Sequence, residues 1–201
     1  MAERLLLARH AETAPQYQGR FIGAIDAELS NKAAAQIRAL AQAIIPYSPQ
    51  VCLCSPQSRA RLTATGIAEH NGLDITIDQN LREIDFGRWD NMTFEEISAT
   101  EAKLVAEWSA GPMDFQFPDG EHTDDFLTRV QTAAEIMAVR PEKTVLAVTH
   151  GGVIRAMICH LLRLPPEHYL LFDVKPAGLT VIDIFDQGGL LSGFNLGLVG
   201  K

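Results

Sequence analysis

The sequence predicts an α/β fold, a three-layer α/β/α sandwich around a mostly parallel, doubly wound sheet. Short apolar runs typical of buried strands alternate with longer segments of helical periodicity, which is the pattern of parallel strands joined by crossover helices. The chain has 201 residues, of which 47% are hydrophobic, and this is enough to bury one core. Residues 1–201 are therefore expected to form a single domain.

Five apolar runs are the predicted strands. Each is short and is followed by a turn signal or a helical pattern, as expected in a doubly wound sheet. The runs are residues 5–8, 51–54, 75–77, 145–149 and 180–185.

The first two predicted helices are placed by the residues that begin them. Ser30 is a candidate N-cap for a helix that runs through an alanine-rich stretch to about Ile45. Ser55 and Pro56 fit the N-cap and the first helical position of a helix that reaches about Gly72.

Three further helices are predicted in the second half of the chain. Thr93 and Glu96 fit a capping box. A helix is expected over residues 124–139, where two aspartates suit the positive end of the helix dipole. The last follows Gly151 and carries apolar residues at helical spacing. Residues 111–123 are expected to be a long loop, of a length often used for lids and binding loops.

Composition argues against several classes of partner and cofactor. The net charge of −8 disfavours nucleic acid. No apolar run reaches the roughly 18 residues that span a membrane, and the first run is too short for a signal peptide, so a cytoplasmic protein is expected. Three cysteines do not make a disulfide framework. Cys52 and Cys54 are interpreted as small core residues rather than a metal pair, and Cys159 as a packing residue.

Two predicted strands end in a histidine, and this is the strongest functional signal in the chain. His10 and His150 lie where the strands give way to turns, and ligands of open α/β sheets bind at the carboxyl ends of the strands. Arg9 can hold phosphate oxygens through paired hydrogen bonds. Gly151 opens a helix whose free N–H groups suit an anion. Neutral imidazole is a competent nucleophile toward phosphorus, so the pattern points to phosphoryl chemistry.

The segment Arg-His-Ala-Glu-Thr at residues 9–13 resembles the signature of the histidine phosphatase superfamily, the phosphoglycerate mutase-like proteins. Further segments resemble that family in the same order, so that the resemblance covers almost the whole chain. They are residues 16–30, 54–64, 81–89, 119–122 and 149–155. Within the family it looks most like the alpha-ribazole phosphatase and broad-specificity phosphatase branches.

The resemblance implies roles for individual residues. It makes His10 the nucleophile and Glu83 the proton donor, with Arg9, Arg59 and His150 stabilising charge on the phosphoryl group. It also implies substrate binding by Arg9, Arg59, Gln16, Arg20, Gly23, Glu121 and Gly151. No metal and no cofactor are expected.

Three residues depart from the family pattern. Ala11 replaces a glycine, which would cost strain if the backbone there needed a positive φ. Gln16 stands in place of Asn and His122 in place of Ser, so these two positions bear on specificity. Among the other histidines, His70, His160 and His168 are interpreted as structural, and Trp89 as a packing residue.

The expected function is a metal-independent phosphomonoesterase that acts through a phosphohistidine on a small phosphorylated metabolite and releases inorganic phosphate. Alpha-ribazole 5'-phosphate is one candidate substrate. Three alternatives stay open: a phosphoglycerate mutase, a non-enzymatic phosphate-binding or regulatory protein, and a metal-dependent hydrolase. The sequence does not name the physiological substrate or the oligomeric state.

Overall fold

A six-stranded sheet organises the protein, whose computed structural model describes residues 1–198. Its strands lie in the spatial order β3-β2-β4-β1-β5-β6, and the first four are parallel to one another while β5 and β6 are antiparallel additions at one edge. The strands are β1 (Arg4–Arg9), β2 (Val51–Cys54), β3 (Ile75–Ile77), β4 (Thr144–Thr149), β5 (Leu179–Phe185) and β6 (Gly188–Leu196).

Helices cover both faces of the sheet. They are α1 (Ala33–Ile44), α2 (Ser58–Asn71), α3 (Phe94–Thr100), α4 (Ala102–Ala110), α5 (Thr123–Ala138) and α6 (Gly151–Leu161). Side chains of β1 alternate between the faces, so Leu5 and Leu7 join the core under α5 and α6, whereas Leu6 packs with α1 and α2. The predicted three-layer, mostly parallel α/β architecture is confirmed. One sheet draws strands from both halves of the chain.

The five predicted strands are present, but β6 was not predicted. Its sequence contains Gly188, Gly189 and Gly193, and glycine is depleted in strands because it has no side chain to pack. Pairing with β5 forms this strand, so long-range contacts override the local preference. Helix α4 was also not predicted. It is only nine residues long and has no fully buried residue.

Two of the predicted helix starts are wrong. Helix α1 is capped at Lys32, and the Ser30 hydroxyl instead accepts a hydrogen bond from the Lys32 N–H in the preceding turn, at 3.2 Å. Helix α2 begins at Ser58 after the N-cap Gln57, which leaves Ser55 outside the helix. The capping box at Thr93 is confirmed, because both of its reciprocal hydrogen bonds are present.

The remaining packing predictions can be compared with the structure directly. All three cysteines are buried and unpaired with one another, and burial raises the pKa of Cys52 and Cys54 to about 12. Trp89 is fully buried and donates to Glu101, as a packing residue does. The predicted 111–123 loop contains one short 3-10 turn, Pro112–Asp114. Across residues 1–198, no helix combines the length and apolarity that a membrane crossing requires.

Candidate active site

The carboxyl ends of three neighbouring strands form the floor of the candidate site. Strand β4 lies between β2 and β1, and the residues that follow them are Ser55, His150 and His10. The main chain continues the parallel register there, since the His10 N–H donates to the Thr149 carbonyl at 2.9 Å. The imidazole rings of His10 and His150 therefore lie side by side, with centroids 5.1 Å apart.

His10 is held in one tautomer by the main chain. Its Nδ1 lies 2.7 Å from the Ala11 carbonyl oxygen, which can only accept, so Nδ1 carries the proton and Nε2 keeps its lone pair. Burial, and then the charges of Arg9 and Arg59, lower the pKa of His10 well below its ordinary value. The ring is neutral at neutral pH. Ala11 has no positive φ, so alanine fits this turn without strain.

His150 is fully buried and is fixed from below by a serine. Its Nε2 lies 2.7 Å from the Ser55 hydroxyl, while Nδ1 has no hydrogen-bond partner within residues 1–198. Burial and the charge of Arg59 lower the pKa of His150 well below its ordinary value. A neutral ring can donate from Nδ1 if the Ser55 hydroxyl donates to Nε2, so this pair suits an anion placed at Nδ1.

Two arginines surround the histidines, Arg59 fully buried and Arg9 partly buried. Arg9 donates through Nη1 to the Val174 carbonyl, and Arg59 donates to the carbonyls of Gly23 and Ile25. Burial lowers the pKa of Arg9 to about 10, so Arg9 stays a cation at neutral pH. Burial also lowers the pKa of Arg59. In the part of the chain that is described, the Nε atoms of both are buried without a partner.

These unpaired donors are energetically costly unless an acceptor meets them. A buried polar group without a partner costs about 1–3 kcal/mol, and Arg9, Arg59 and His150 each present one beside His10. A multivalent anion such as a phosphoryl group is the kind of acceptor that meets several such donors at once. The geometry is that of a candidate anion pocket with a neutral imidazole at its base.

Glu83 lies across the start of α6 from this pocket. Its carboxylate is 9% exposed and accepts hydrogen bonds from the N–H groups of Gly152, at 2.9 Å, and Ile84, at 3.1 Å. A Cβ at position 152 would lie 2.4 Å from Glu83 Oε1, so only glycine lets the carboxylate approach the helix so closely.

Arg129 of α5 holds the segment that carries Glu83. Its guanidinium donates to the carbonyls of Asn80, Arg82 and Glu83 at 2.7–3.0 Å. It also forms a two-point ion pair with Glu121, at 2.6 and 2.8 Å. Glu121 is therefore linked to the Glu83 segment through Arg129, and its carboxylate also accepts hydrogen bonds directly from Arg82 and from the Asp85 N–H.

A cavity of about 610 Å³ opens above these groups. Three of the residues predicted to bind substrate line this cavity: Arg9, Arg20 and Gly151. His10 and Glu83 line it as well. Gln16, Gly23 and Glu121 do not line it. The Gln16 side chain is exposed, the Gly23 backbone packs closely against the Ile84 carbonyl, and Glu121 is paired with Arg129. Arg59 and His150 lie beneath the wall, fully buried.

Several residues of the wall were not singled out from the sequence. Arg155 lies one helical turn beyond Gly151 and donates to the Phe172 carbonyl, and its spacing from the glycine could have identified it. Tyr169 and Trp108 also line the cavity, although the sequence around them gave no signal. His122, which was left ambiguous, caps α5 by accepting from the Asp124 N–H and is not part of the wall.

Acid should destabilise the fold because of the two buried histidines. Their folded pKa values are depressed, so the unfolded chain binds more protons below the ordinary value of about 6.5. Above that pH the two histidines should not reduce the free energy of unfolding. Below it, the free energy of unfolding should fall by up to about 1.4 kcal/mol per pH unit for each histidine. Urea unfolding on both sides of this pH measures the slope. His10→Asn should reduce it, and an unchanged slope would contradict the assignment.

Arg129 should matter far more to stability than its exposed counterpart Arg82. Both pair with Glu121, but their side chains are 9% and 41% exposed, respectively. Arg129→Met is expected to lower the free energy of unfolding by about 3–5 kcal/mol, because Glu121 loses its two-point ion pair and three carbonyls lose their donor. Arg82→Met is expected to cost about 0–1 kcal/mol. Equal losses in urea unfolding would show that burial of the ion pair is unimportant.

Fold and site together define an α/β protein with a histidine-based anion pocket at the carboxyl edge of its sheet. The sequence model of the histidine phosphatase superfamily (branch 1) matches residues 5–197. The chain belongs to this family, and the resemblance noted in the sequence is confirmed.

Characterised relatives and solved structures match over most of their length. Phosphoserine phosphatase 1 of Hydrogenobacter thermophilus is 30% identical over 96% of this chain and 92% of its own. Glucosyl-3-phosphoglycerate phosphatase of Mycobacterium tuberculosis is 31% identical over 84% of this chain and 79% of its own. The crystal structure of alpha-ribazole phosphatase from Shigella flexneri superposes with a TM-score of 0.87 at 26% identity, covering 98% of each chain.

Proposed function

We propose that the protein is a metal-independent phosphomonoesterase that acts through a phosphohistidine at His10. The observation that carries this proposal is the set of buried, unpaired donors on Arg9, Arg59 and His150 around a neutral imidazole. Each can donate to an oxygen of a phosphoryl group. The ring nitrogen left available by the Ala11 carbonyl is Nε2, which is the nitrogen that would attack phosphorus.

The first step transfers the phosphoryl group to the protein. A bond forms between His10 Nε2 and phosphorus while the bond from phosphorus to the ester oxygen breaks, and Glu83 gives its proton to that leaving oxygen. Arg9, Arg59 and His150 stabilise the charge on the three remaining oxygens. Charge-assisted hydrogen bonds of this kind contribute about 1.5–3 kcal/mol each, so the two arginines supply most of the anchoring.

The second step releases phosphate. The Glu83 carboxylate takes a proton from water, the water oxygen attacks phosphorus, and the bond to His10 breaks. The same carboxylate serves both steps because it stays hydrogen-bonded to Gly152 at the edge of the pocket. In this scheme Gly151 contacts substrate from the wall, and Arg20, which is paired with Glu96, shapes that wall. Gly23 and Glu121 act at a distance, by holding Arg59 and Arg129.

The names of the relatives support a small phosphorylated metabolite as substrate. They refer to phosphoserine, glucosyl-3-phosphoglycerate and alpha-ribazole phosphates, which differ widely in the alcohol they carry. What they share is a phosphomonoester. Alpha-ribazole 5'-phosphate remains one candidate substrate among these.

A phosphate-release screen tests the proposal. Alpha-ribazole 5'-phosphate, phosphoserine, glucosyl-3-phosphoglycerate, 3-phosphoglycerate and p-nitrophenyl phosphate are each incubated with protein that has been treated with a chelator. Release of phosphate after chelation is expected. Loss of activity on chelation would favour a metal-dependent hydrolase, and conversion of 3-phosphoglycerate to its isomer would favour a mutase. A chain that binds phosphate but turns over none of the panel would be a binding protein.

A further inference from the structure

The cavity above His10 has one wall built of aromatic rings. Phe21, Phe86, Trp108 and Phe117 line it, and their rings meet at centroid distances of 5.0–6.3 Å, mostly edge to face. Trp89 packs beneath them in the core. Such stacked edge-to-face rings present a large, fixed apolar surface. We call these four cavity residues the aromatic wall.

The aromatic wall lies on the side of Glu83. Glu83, Ile84 and Phe86 belong to one short segment, and all three line the cavity. In the proposed mechanism Glu83 protonates the leaving oxygen, so the leaving group must lie next to that carboxylate. The rest of the leaving group therefore faces the aromatic wall. More apolar side chains extend this surface: Ile22, Met113, Phe126, Leu127 and Leu170.

Few charged groups of the cavity are available to a charged leaving group. Arg20 is already engaged, since it donates to Glu96 at 2.9 Å and to the Asn91 carbonyl at 2.6 Å. Glu12 lies 3.5 Å from Lys32 and is itself negative. Arg155, which donates to the Phe172 carbonyl, is the remaining cavity cation that a carboxylate on the leaving group could pair with. Most of the surface around the leaving group is apolar.

Trp108 is the ring of the aromatic wall that is freest to adjust its position to a bound substrate. It is half-buried and lies on α4, a helix that has no fully buried residue, so its indole is held mainly by the other rings. Trp89, in contrast, is fully buried and hydrogen-bonded to Glu101. The exposed part of the Trp108 ring faces the cavity that it lines.

We propose that the site selects phosphomonoesters whose leaving group is a large, uncharged, apolar or ring-containing alcohol that packs against the aromatic wall. This inference rests on the proposed phosphatase function. It predicts that esters whose leaving group carries a carboxylate, such as phosphoserine and phosphoglycerate, are not the preferred substrates.

A homologous series of alkyl phosphates provides the test. From ethyl to hexyl phosphate the leaving alcohol hardly changes in basicity, so a change in kcat/KM reports burial of the alkyl chain. Each CH2 buried against the wall is expected to raise kcat/KM by about two- to fourfold. Benzyl phosphate should likewise exceed phosphoserine and 3-phosphoglycerate. The wild-type protein alone is sufficient for this measurement.

Trp108→Ala then locates the effect. It should lower kcat/KM for hexyl phosphate at least about tenfold more than for ethyl phosphate, mainly through KM. Phe185→Ala is the matched control, because Phe185 is 60% exposed and lies at the end of β5, near the amino end of β1 and away from the site. Its selectivity should equal that of the wild type.

The outcomes separate this inference from the proposed function. If no ester is hydrolysed, the phosphatase proposal fails. If esters are hydrolysed but kcat/KM is flat along the alkyl series, or phosphoserine exceeds benzyl phosphate, the apolar selectivity is wrong and the phosphatase proposal stands. If the preference for long alkyl chains is lost in Arg155→Ala and kept in Trp108→Ala, the leaving group lies against Arg155 and not against the aromatic wall.

Discussion

Replacing His10 by alanine is expected to lower phosphate release by about 10³- to 10⁵-fold, because the variant lacks the nucleophile while the anion-binding groups remain. The buried donors on Arg9, Arg59 and His150 do not depend on the His10 side chain for their positions. The variant should therefore still bind inorganic phosphate or vanadate. Steady-state hydrolysis of p-nitrophenyl phosphate, with ligand binding measured in parallel, checks both expectations.

His122→Ala is the matched control for this variant. His122 is also a histidine with a hydrogen-bonded Nδ1, but it caps α5 and does not line the cavity. Its removal should cost at most the stability of a helix cap, about 0.5–2 kcal/mol, and should leave kcat/KM nearly unchanged. Activity in His10→Ala close to that of His122→Ala would end the assignment of His10 as nucleophile.

The intermediate itself can be trapped by removing the group that hydrolyses it. In Glu83→Gln, a good leaving group such as p-nitrophenolate still departs without a proton, but water attack is slowed. An acid-labile phosphoryl group should then accumulate on the peptide that contains His10. Phosphorylation of a different residue would replace the proposed mechanism with another covalent route.

The sequence predicted the floor of the site because strand ends are local features. His10 and His150 each follow a visible apolar run, and parallel strands bring such ends to one edge. Their relative placement needed only the adjacency of β1 and β4, which topology supplies. The arginine beside His10 was predictable for the same reason, since it is the last residue of the strand.

The groups that orient the site were not predictable, because they depend on contacts distant in sequence. Ser55 looks like a helix cap, but its hydroxyl is used by His150, 95 residues away. Glu121 was assigned to substrate through the family pattern, and the structure pairs it instead with Arg129 behind Glu83. A local pattern cannot distinguish a carboxylate that faces a ligand from one that supports a neighbouring segment.

Gly152→Ala is expected to reduce kcat about 10²-fold on esters with poor leaving groups, by displacing the Glu83 carboxylate. The new Cβ would lie 2.4 Å from Glu83 Oε1 and 3.1 Å from its Cδ, so the carboxylate must move and lose its bond to the Gly152 N–H. Arg9 and Arg59 are untouched, so KM should change little. The loss should be smaller for p-nitrophenyl phosphate, whose leaving group needs no proton.

Gly151→Ala tests whether an added methyl group at the start of α6 is harmful in itself. Its Cβ would lie 3.4 Å from the Arg9 guanidinium and would leave Glu83 in place, so any loss should appear in KM and should not depend on the leaving group. Alanine is also a better helix former than glycine, by about 1 kcal/mol, so neither substitution should lower the free energy of unfolding through helix propensity. Urea unfolding of both variants verifies this point.

A double-mutant cycle decides whether Gly152 acts through Glu83. If the added methyl group works only by moving the carboxylate, Gly152→Ala should have little further effect in a Glu83→Gln background, where the proton donor is already lost. Additive losses would mean that the methyl group disturbs the phosphate pocket directly. Non-additive losses would identify the glycine as the residue that lets a proton donor and a helix N-terminus share one edge of the site.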